Sequence, residues 1–397
     1  MRLDDRTIRT NLQRDLLNGI GGALFLGGVY ANGAVVIRRM GADATTVAYL
    51  TAIPFLANVA VLLLLPIIPR GNPVLLLVVA SAATRLASLP AGWATSPAML
   101  LAAWTLMSLC LALSALPTLD VVSAMYPANR RAHLVGRVRT VSIGAALVAG
   151  PLMGSLLDRF GAGITFTLIG LTSAACGIAL LKVHAPQQQQ KSPRISIVHA
   201  LGTLRYDVTF RGFVLAWTMW GIGVLLPLAV YPLLLVDRFH ASYTAIGLLS
   251  ALTGGSALLT YRWWARQADH RDPRLLAALG FSLATAVPVV YALAPSLPVL
   301  GLASVLAGVS QGAIEMSNMQ AMLRFAPRGD AIRYTSVFNA AAGLRGAIAP
   351  VAGSLLVTSY GATPVLLTGA AIGLVSAGGM WRSSRLSLPA PHLDDPA

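Results

Sequence analysis

Glu315 and Arg345 are the residues of this chain best placed to do chemistry, because each is an ionisable group set inside a long apolar run. Such groups are expensive in apolar surroundings and face a cavity or a partner. Counted from the nearer polar end of its run, Glu315 lies about 12 Å in and Arg345 about 16 Å in, at a helical rise of about 1.5 Å per residue. The two therefore sit at similar depth on adjacent runs and are able to pair. A neighbouring arginine lowers a carboxyl pKa and burial raises it, so separating the pair would let Glu315 take a proton. That is a physical basis for proton coupling; a permanent structural ion pair is the other reading.

Around Glu315 the same run carries Gln311, Ser317, Asn318 and Gln320. Gln311, Glu315 and Asn318 are spaced i, i+4, i+7 and share one helical face. Met316, Met319 and Met322 form a second stripe; soft thioethers suit Cu(I), whereas methionine at helical spacing is ordinarily packing. None of the six histidines lies deep in an apolar run, which argues against a histidine relay or a histidine metal site. Arg85 has no evident acidic partner at its depth and either snorkels or attracts an anion. Asp120 lies close in sequence to the Arg130–Arg139 cluster and reads as a gate salt bridge. Cys110 and Cys176 fall in apolar segments and read as inert packing. There is no Ser/His/Asp arrangement, no metal-ligand cluster and no phosphate-cradling loop, so the chain reads as neither an enzyme nor a cofactor protein.

The elements that must hold these residues are membrane helices. Hydrophobic residues make up 56% of the chain and charged residues 11%, with a mean hydropathy of +0.71, whereas a soluble domain carries about 25% charge. Runs long enough to span fall roughly at 15–37, 45–68, 73–93, 97–120, 138–158, 162–182, 212–236, 243–264, 274–294, 297–323, 334–357 and 363–381, twelve in all. Of the 29 basic residues, 23 fall in the tails and even-numbered connections, 4 in the odd-numbered connections and 2 inside spans. Arg and Lys mark the cytoplasmic side, so both termini are expected there, in a plasma or inner membrane. The net charge of +15 is thereby a matter of topology, not of nucleic-acid binding. The polar N-terminus, Met1 to Arg14, does not read as a cleavable signal.

The chain also repeats itself. Gly144 to Leu157 reads Gly, six residues, Pro151, two residues, Gly154-Ser-Leu-Leu, followed by Phe160-Gly161-Ala162; Gly343 to Leu356 gives the same pattern around Pro350 and Gly353, followed by Tyr360-Gly361-Ala362. The expected division is a six-helix bundle over 1–183, a cytoplasmic linker over 184–211 and a second six-helix bundle with a short tail over 212–397. Repeats in one orientation are related by a pseudo-two-fold axis along the membrane normal. Small residues at Gly150, Gly154 and Gly353, with helix-bending Pro151 and Pro350, suit a seam between moving halves, or tight static packing.

With these features the chain resembles the major facilitator superfamily over nearly its whole length. Gly150-Pro151-Leu-Met-Gly154 is similar to that family's helix-5 motif, associated with antiporters, with Ala146 and Ser155 at two of its glycine positions. The family's charged 2–3 loop motif is weak at Pro66–Pro73, and its counterpart at Asp269-His-Arg271-Asp-Pro-Arg274 is fuller, which makes Asp269 a gating candidate. Asp158-Arg159-Phe160-Gly161 reads as a turn. The resemblance implies that helices 1, 4, 7 and 10 line a cavity. The expected site then lies between Tyr30 and Asn32, Trp217, and Gln311, Glu315, Asn318 and Arg345, with the tryptophans equally open to packing. The function implied is a monomeric secondary transporter, exchanging a small organic solute for protons by alternating access, with export favoured. Rival readings are a non-transporting sensor or lipid-handling module and, further off, a copper transporter built on the methionine stripe.

Overall fold

Helices begin where the sequence supplies a cap. In the computed structural model, which describes residues 4–64, 72–183, 197–325 and 331–385, Asp4 accepts the Thr7 N–H at 3.0 Å. Asn72 accepts from Val74 and Leu75, Ser96 from Met99, Asp207 from Phe210 and Asp272 from Arg274. At Pro73, Pro97 and Pro273 a proline follows the cap, where its missing N–H costs nothing.

The long helices are α1 (Asp5–Arg39, interrupted), α2 (Ala44–Leu64), α3 (Pro73–Gly92) and α4 (Pro97–Ala115). A continuous stretch Ala128–Ile178 is two helices, α5 (128–160) and α6 (162–178), broken at Gly161 with φ +72°. They are followed by α7 (Val208–Arg238, interrupted), α8 (Tyr243–His270), α9 (Pro273–Leu293), α10 (Leu300–Phe325), α11 (Ala331–Tyr360) and α12 (Ala362–Ser384). With that stretch read as two, the eleven apolar helical runs long enough to cross a membrane make twelve spans, as expected. Short helices at Thr118–Met125 and Ile197–Tyr206 complete the described elements. Gly161 and Gly361, φ +83°, make the same left-handed turn in the two sequence copies; only glycine takes that turn without strain.

Two compact units form, one from 1–192 with 235–251, the other from 193–234 with 252–397. In the first, α1 lies along the α5–α6 pair, and α2 and α3 pack on α4. Buried Ile8, Leu12, Val78, Val121, Met125 and Leu180 close one end of it. In the second, α9 packs on α10 and α12, and α7 on α11 and α12. Its core is an aromatic column including Phe210, Phe213, Trp217, Trp220, Phe281 and Phe338. Large apolar side chains also point outward, with Leu259 83% and Val148 66% exposed, as in a protein whose solvent is lipid. Of the linker expected at 184–211, residues 184–196 lie outside the described residues, as does most of the 66–73 loop.

Candidate functional site

Helix α1 changes geometry in its middle. The α-helix ends at Phe25, Leu26–Tyr30 form a π turn, and a regular helix resumes at Gly33. Asn32 repairs the break, since its Nδ2 donates to the Gly28 carbonyl at 2.7 Å. Its Oδ1 is buried with no partner. The break can pack because Gly33 lies under Trp104, where a Cβ would meet the ring at 2.1 Å. Tyr30 stacks on Trp104 with centroids 4.9 Å apart. Helix α7 is broken at the corresponding place, half a chain later: a 3-10 turn covers Leu226–Ala229 and a π turn Leu234–Arg238. Interrupted helices in corresponding positions of two repeats are where transporters bind solute, and π turns cluster at functional sites.

Beside the break in α1 is a cavity of about 300 Å³, lined by Tyr30, Pro54, Asn58, Ser108, Ser114 and Thr118 with Leu111 and small alanines. Ser108 is 2% exposed, with its hydroxyl beside the Tyr30 phenol. Of these residues only Tyr30 was expected from the sequence. The missed signal is a face on α4, since Ser108, Leu111, Ala112 and Ala115 follow helical spacing and Thr118 continues it. Asn58 is the amide side chain of α2.

The first unit also holds a polar cluster where α1 and α5 meet residues 235–251. Arg38 grips Asp237 with Nε at 3.0–3.1 Å and Nη2 at 2.6 Å. Arg39 donates to the Ala241 carbonyl and lies 3.8 Å from the Tyr243 ring centroid. Asp158 accepts from Tyr243 N–H at 2.9 Å, Thr244 N–H at 2.8 Å and the Thr244 hydroxyl at 2.7 Å. It thus caps α8 from another helix, satisfying two of the orphan donors at that terminus with a negative charge. The expected turn at Asp158–Gly161 is present, and its carboxylate has this further part. Gly150 and Gly154 bring the α5 backbone against α8, where a Cβ on Gly154 would lie 2.3 Å from the Tyr243 carbonyl and one on Gly150 2.9 Å from that of Gly247. Pro151 sits between them inside the helix.

Within the second unit the expected residues divide. Trp217 is 3% exposed and packs edge-on to Phe281 at 5.1 Å and Phe338 at 5.3 Å, so it is a core residue and its carbonyl does the polar work. Arg345 donates to that carbonyl and lies 5.8 Å from the Trp220 ring, fitting over Gly221, where a Cβ would meet it at 2.3 Å. These contacts take its guanidinium to α7; depth along a helix does not fix the direction in which a side chain turns. Glu315 and Asn318 are half-buried on α10, Gln311 is exposed, and the Asn318 carbonyl oxygen is buried without a partner. Gly353, just beyond Pro350, brings α11 onto the Leu226 carbonyl of α7. The methionine stripe disperses: Met316 packs with Trp264, Met322 against the aromatic column, and Met319 is exposed.

Three other expectations resolve locally. Arg85, 5% exposed, donates to the Ser173 carbonyl at 2.8 Å and to Asn18 Oδ1 at 2.8 Å, so it ties α3 to α6 and α1 and does not snorkel. Asp120 sits half-buried in the short helix after α4; of the nearby arginines, Arg130 pairs with Asp5 at 2.8 Å and Arg131 donates to the Ser123 carbonyl. Asp269 is exposed at the end of α8; it is Asp272 that caps α9 and pairs with Arg274 at 3.1 Å. A half-buried acid that sequence reading passed over is Asp15, which accepts from the Tyr126 hydroxyl at 2.9 Å.

A sequence model described as Major Facilitator Superfamily matches residues 17–233 and 222–395. No curated protein matches the chain. Among solved structures, a bacterial homologue of the human lysosomal transporter Spinster, inward-facing and unoccupied, is similar with a TM-score of 0.72 at 14% identity, over 96% of each chain. The nucleoside transporter NupG, in a mutant form, gives a TM-score of 0.73 at 13% identity, over 94% of this chain and 99% of that one. A D-xylose–proton symporter gives 0.67 at 14% identity, over 94% and 96%. At these identities the likeness is one of fold.

Proposed function

Because the chain belongs to the major facilitator superfamily, we propose that it is a secondary active transporter, moving a small organic solute across the membrane by alternating access. The observation that carries this reading is the paired interruption of α1 and α7, half a chain apart, with a polar cavity beside the first. The 23-to-4 bias of basic residues supports a reading in which both termini lie on the cytoplasmic side of the inner membrane. We read the transporter as working as a monomer.

Glu315 is our candidate for the coupling proton, because it is a carboxyl part-way along α10, half-buried in an apolar span. Arg345 serves by holding α11 to α7 through the Trp217 carbonyl. The cluster of Arg38, Asp158 and Asp237 acts as a latch that closes in one state of the cycle and opens in the other, with Gly150, Pro151 and Gly154 as the surface α5 presents to α8. Export in exchange for protons is the direction favoured by the Gly150-Pro151-Leu-Met-Gly154 sequence. The test is solute flux in proteoliposomes under an imposed pH gradient. Wild-type protein should concentrate solute, and Glu315→Gln should lose proton-driven flux while keeping its folded elution profile. Undiminished pH-driven flux in that variant removes Glu315 from the mechanism.

A further inference from the structure

The cavity beside the α1 break has a chemistry that names its ligand. Its lining residues include no Asp, Glu, Lys, Arg or His. An ion entering it would leave water without a counter-charge, which is costly in a medium this apolar. Three of its polar groups already donate within the protein. Asn58 Nδ2 donates to the Pro54 carbonyl at 2.8 Å, Ser114 Oγ to the Leu111 carbonyl at 2.7 Å and Thr118 Oγ1 to the Ser114 carbonyl at 2.9 Å. Each keeps a lone pair that can accept. The buried Ser108 hydroxyl lies beside the Tyr30 phenol, and each can both donate and accept. A volume of about 300 Å³ is at the small end of ordinary ligand sites, about 300–1,000 Å³.

We propose that this cavity is a binding subsite for an uncharged polyhydroxylated solute, whose hydroxyls donate to Asn58, Ser114 and Thr118 and exchange hydrogen bonds with Ser108. This deepens the transporter reading and rests on it for its place in the cycle. The Ser108 hydroxyl, buried beside the Tyr30 phenol on the cavity wall, exchanges hydrogen bonds with a solute in that position.

Isothermal titration of the purified full-length protein with ribitol, D-ribose and uridine, and with ribose phosphate and uridine monophosphate, tests this. At least one neutral probe should bind, and its phosphorylated form should bind at least about tenfold more weakly. Ser108→Ala should weaken the neutral probe about tenfold, the loss of one hydrogen bond with a buried partner left unpaired. Ala115→Trp, which fills the cavity from its exposed side, should abolish binding with the thermal transition retained. Failure of all three neutral probes, equal binding of a phosphorylated one, or affinity unmoved by both variants overturns the proposal. Flux in proteoliposomes separates the two readings. A protein that binds ribose with this pattern but moves no solute overturns the transporter reading and leaves the subsite standing. One that moves a charged solute and binds no neutral probe overturns the subsite alone.

Discussion

Asn32 shows how a single residue holds an irregular helix. Its amide answers the Gly28 carbonyl that the π turn leaves over, and it does so at 3% exposure. Asn32→Ala should therefore cost about 1–3 kcal/mol, the range for an unsatisfied buried polar group, read as a lowered thermal midpoint. Arg85 is the opposite kind of residue, a buried cation whose partners are carbonyl oxygens and not a carboxylate. Arg85→Lys keeps the charge but cannot reach Ser173 and Asn18 together, because an ammonium lacks the guanidinium fork. It should destabilise the protein by about 1–3 kcal/mol without changing the affinity for any solute that does not touch α3. Outside the spans, Asp43 accepts from Thr46 at 3.0 Å, and the Thr46 side chain and N–H hold its carboxyl below the usual range. For a lowered carboxyl the stabilisation is present above the unfolded value and is lost as pH falls through the folded one. Asp43→Ala should accordingly flatten the acid side of the stability profile and leave neutral pH nearly unchanged in slope.

At the scale of elements, the contact between α5 and α8 is backbone on backbone. Gly154 has no room for a Cβ against the Tyr243 carbonyl, so Gly154→Val must push the helices apart. Close approach through small residues is what drives helix pairing in lipid, so that variant should lose packing that no local side-chain motion restores. Measured as thermal midpoint in detergent, it should fall further than Gly144→Val, at a glycine with nothing near its missing Cβ. The cap on α8 acts at the same contact. Asp158→Asn keeps the shape but removes the charge from the helix terminus, a loss of about 0.5–1 kcal/mol after allowance for its solvent exposure.

For the whole molecule, the latch matters less as stability than as a bias between states. Arg38 and Asp237 are 26% and 45% exposed, and an exposed pair contributes about 0–1 kcal/mol. An energy of that size moves a balanced two-state equilibrium several-fold without threatening the fold. A cysteine in place of Ala241, which is 1% exposed beside the latch, reports this. In a background lacking Cys110 and Cys176, Asp158→Asn combined with Arg38→Gln should raise its labelling rate several-fold while the protein stays folded. An unchanged rate shows that the cluster is fixed packing.

The spans, their number and the internal repeat were legible in the sequence, because a bilayer imposes length and hydropathy on every segment by itself. The repeat even foretold paired turns, and Gly161 and Gly361 take the same positive φ. Glu315 was legible as an acid in an apolar run for the same local reason. What the sequence could not decide is which way each polar group turns. Arg345 turns to α7, where the absence of a side chain on Gly221 opens a place for its guanidinium. Trp217 looks like a ligand platform until Phe281 and Phe338 enclose it. Ser108 and Asn58 are unremarkable letters until α1, α2 and α4 enclose a space between them. Asp158 is a turn residue until the start of α8, 85 residues on, places two unpaired N–H groups against it. Local sequence determines what crosses the membrane; the convergence of distant helices, which follows from packing and not from period, decides where the chemistry is.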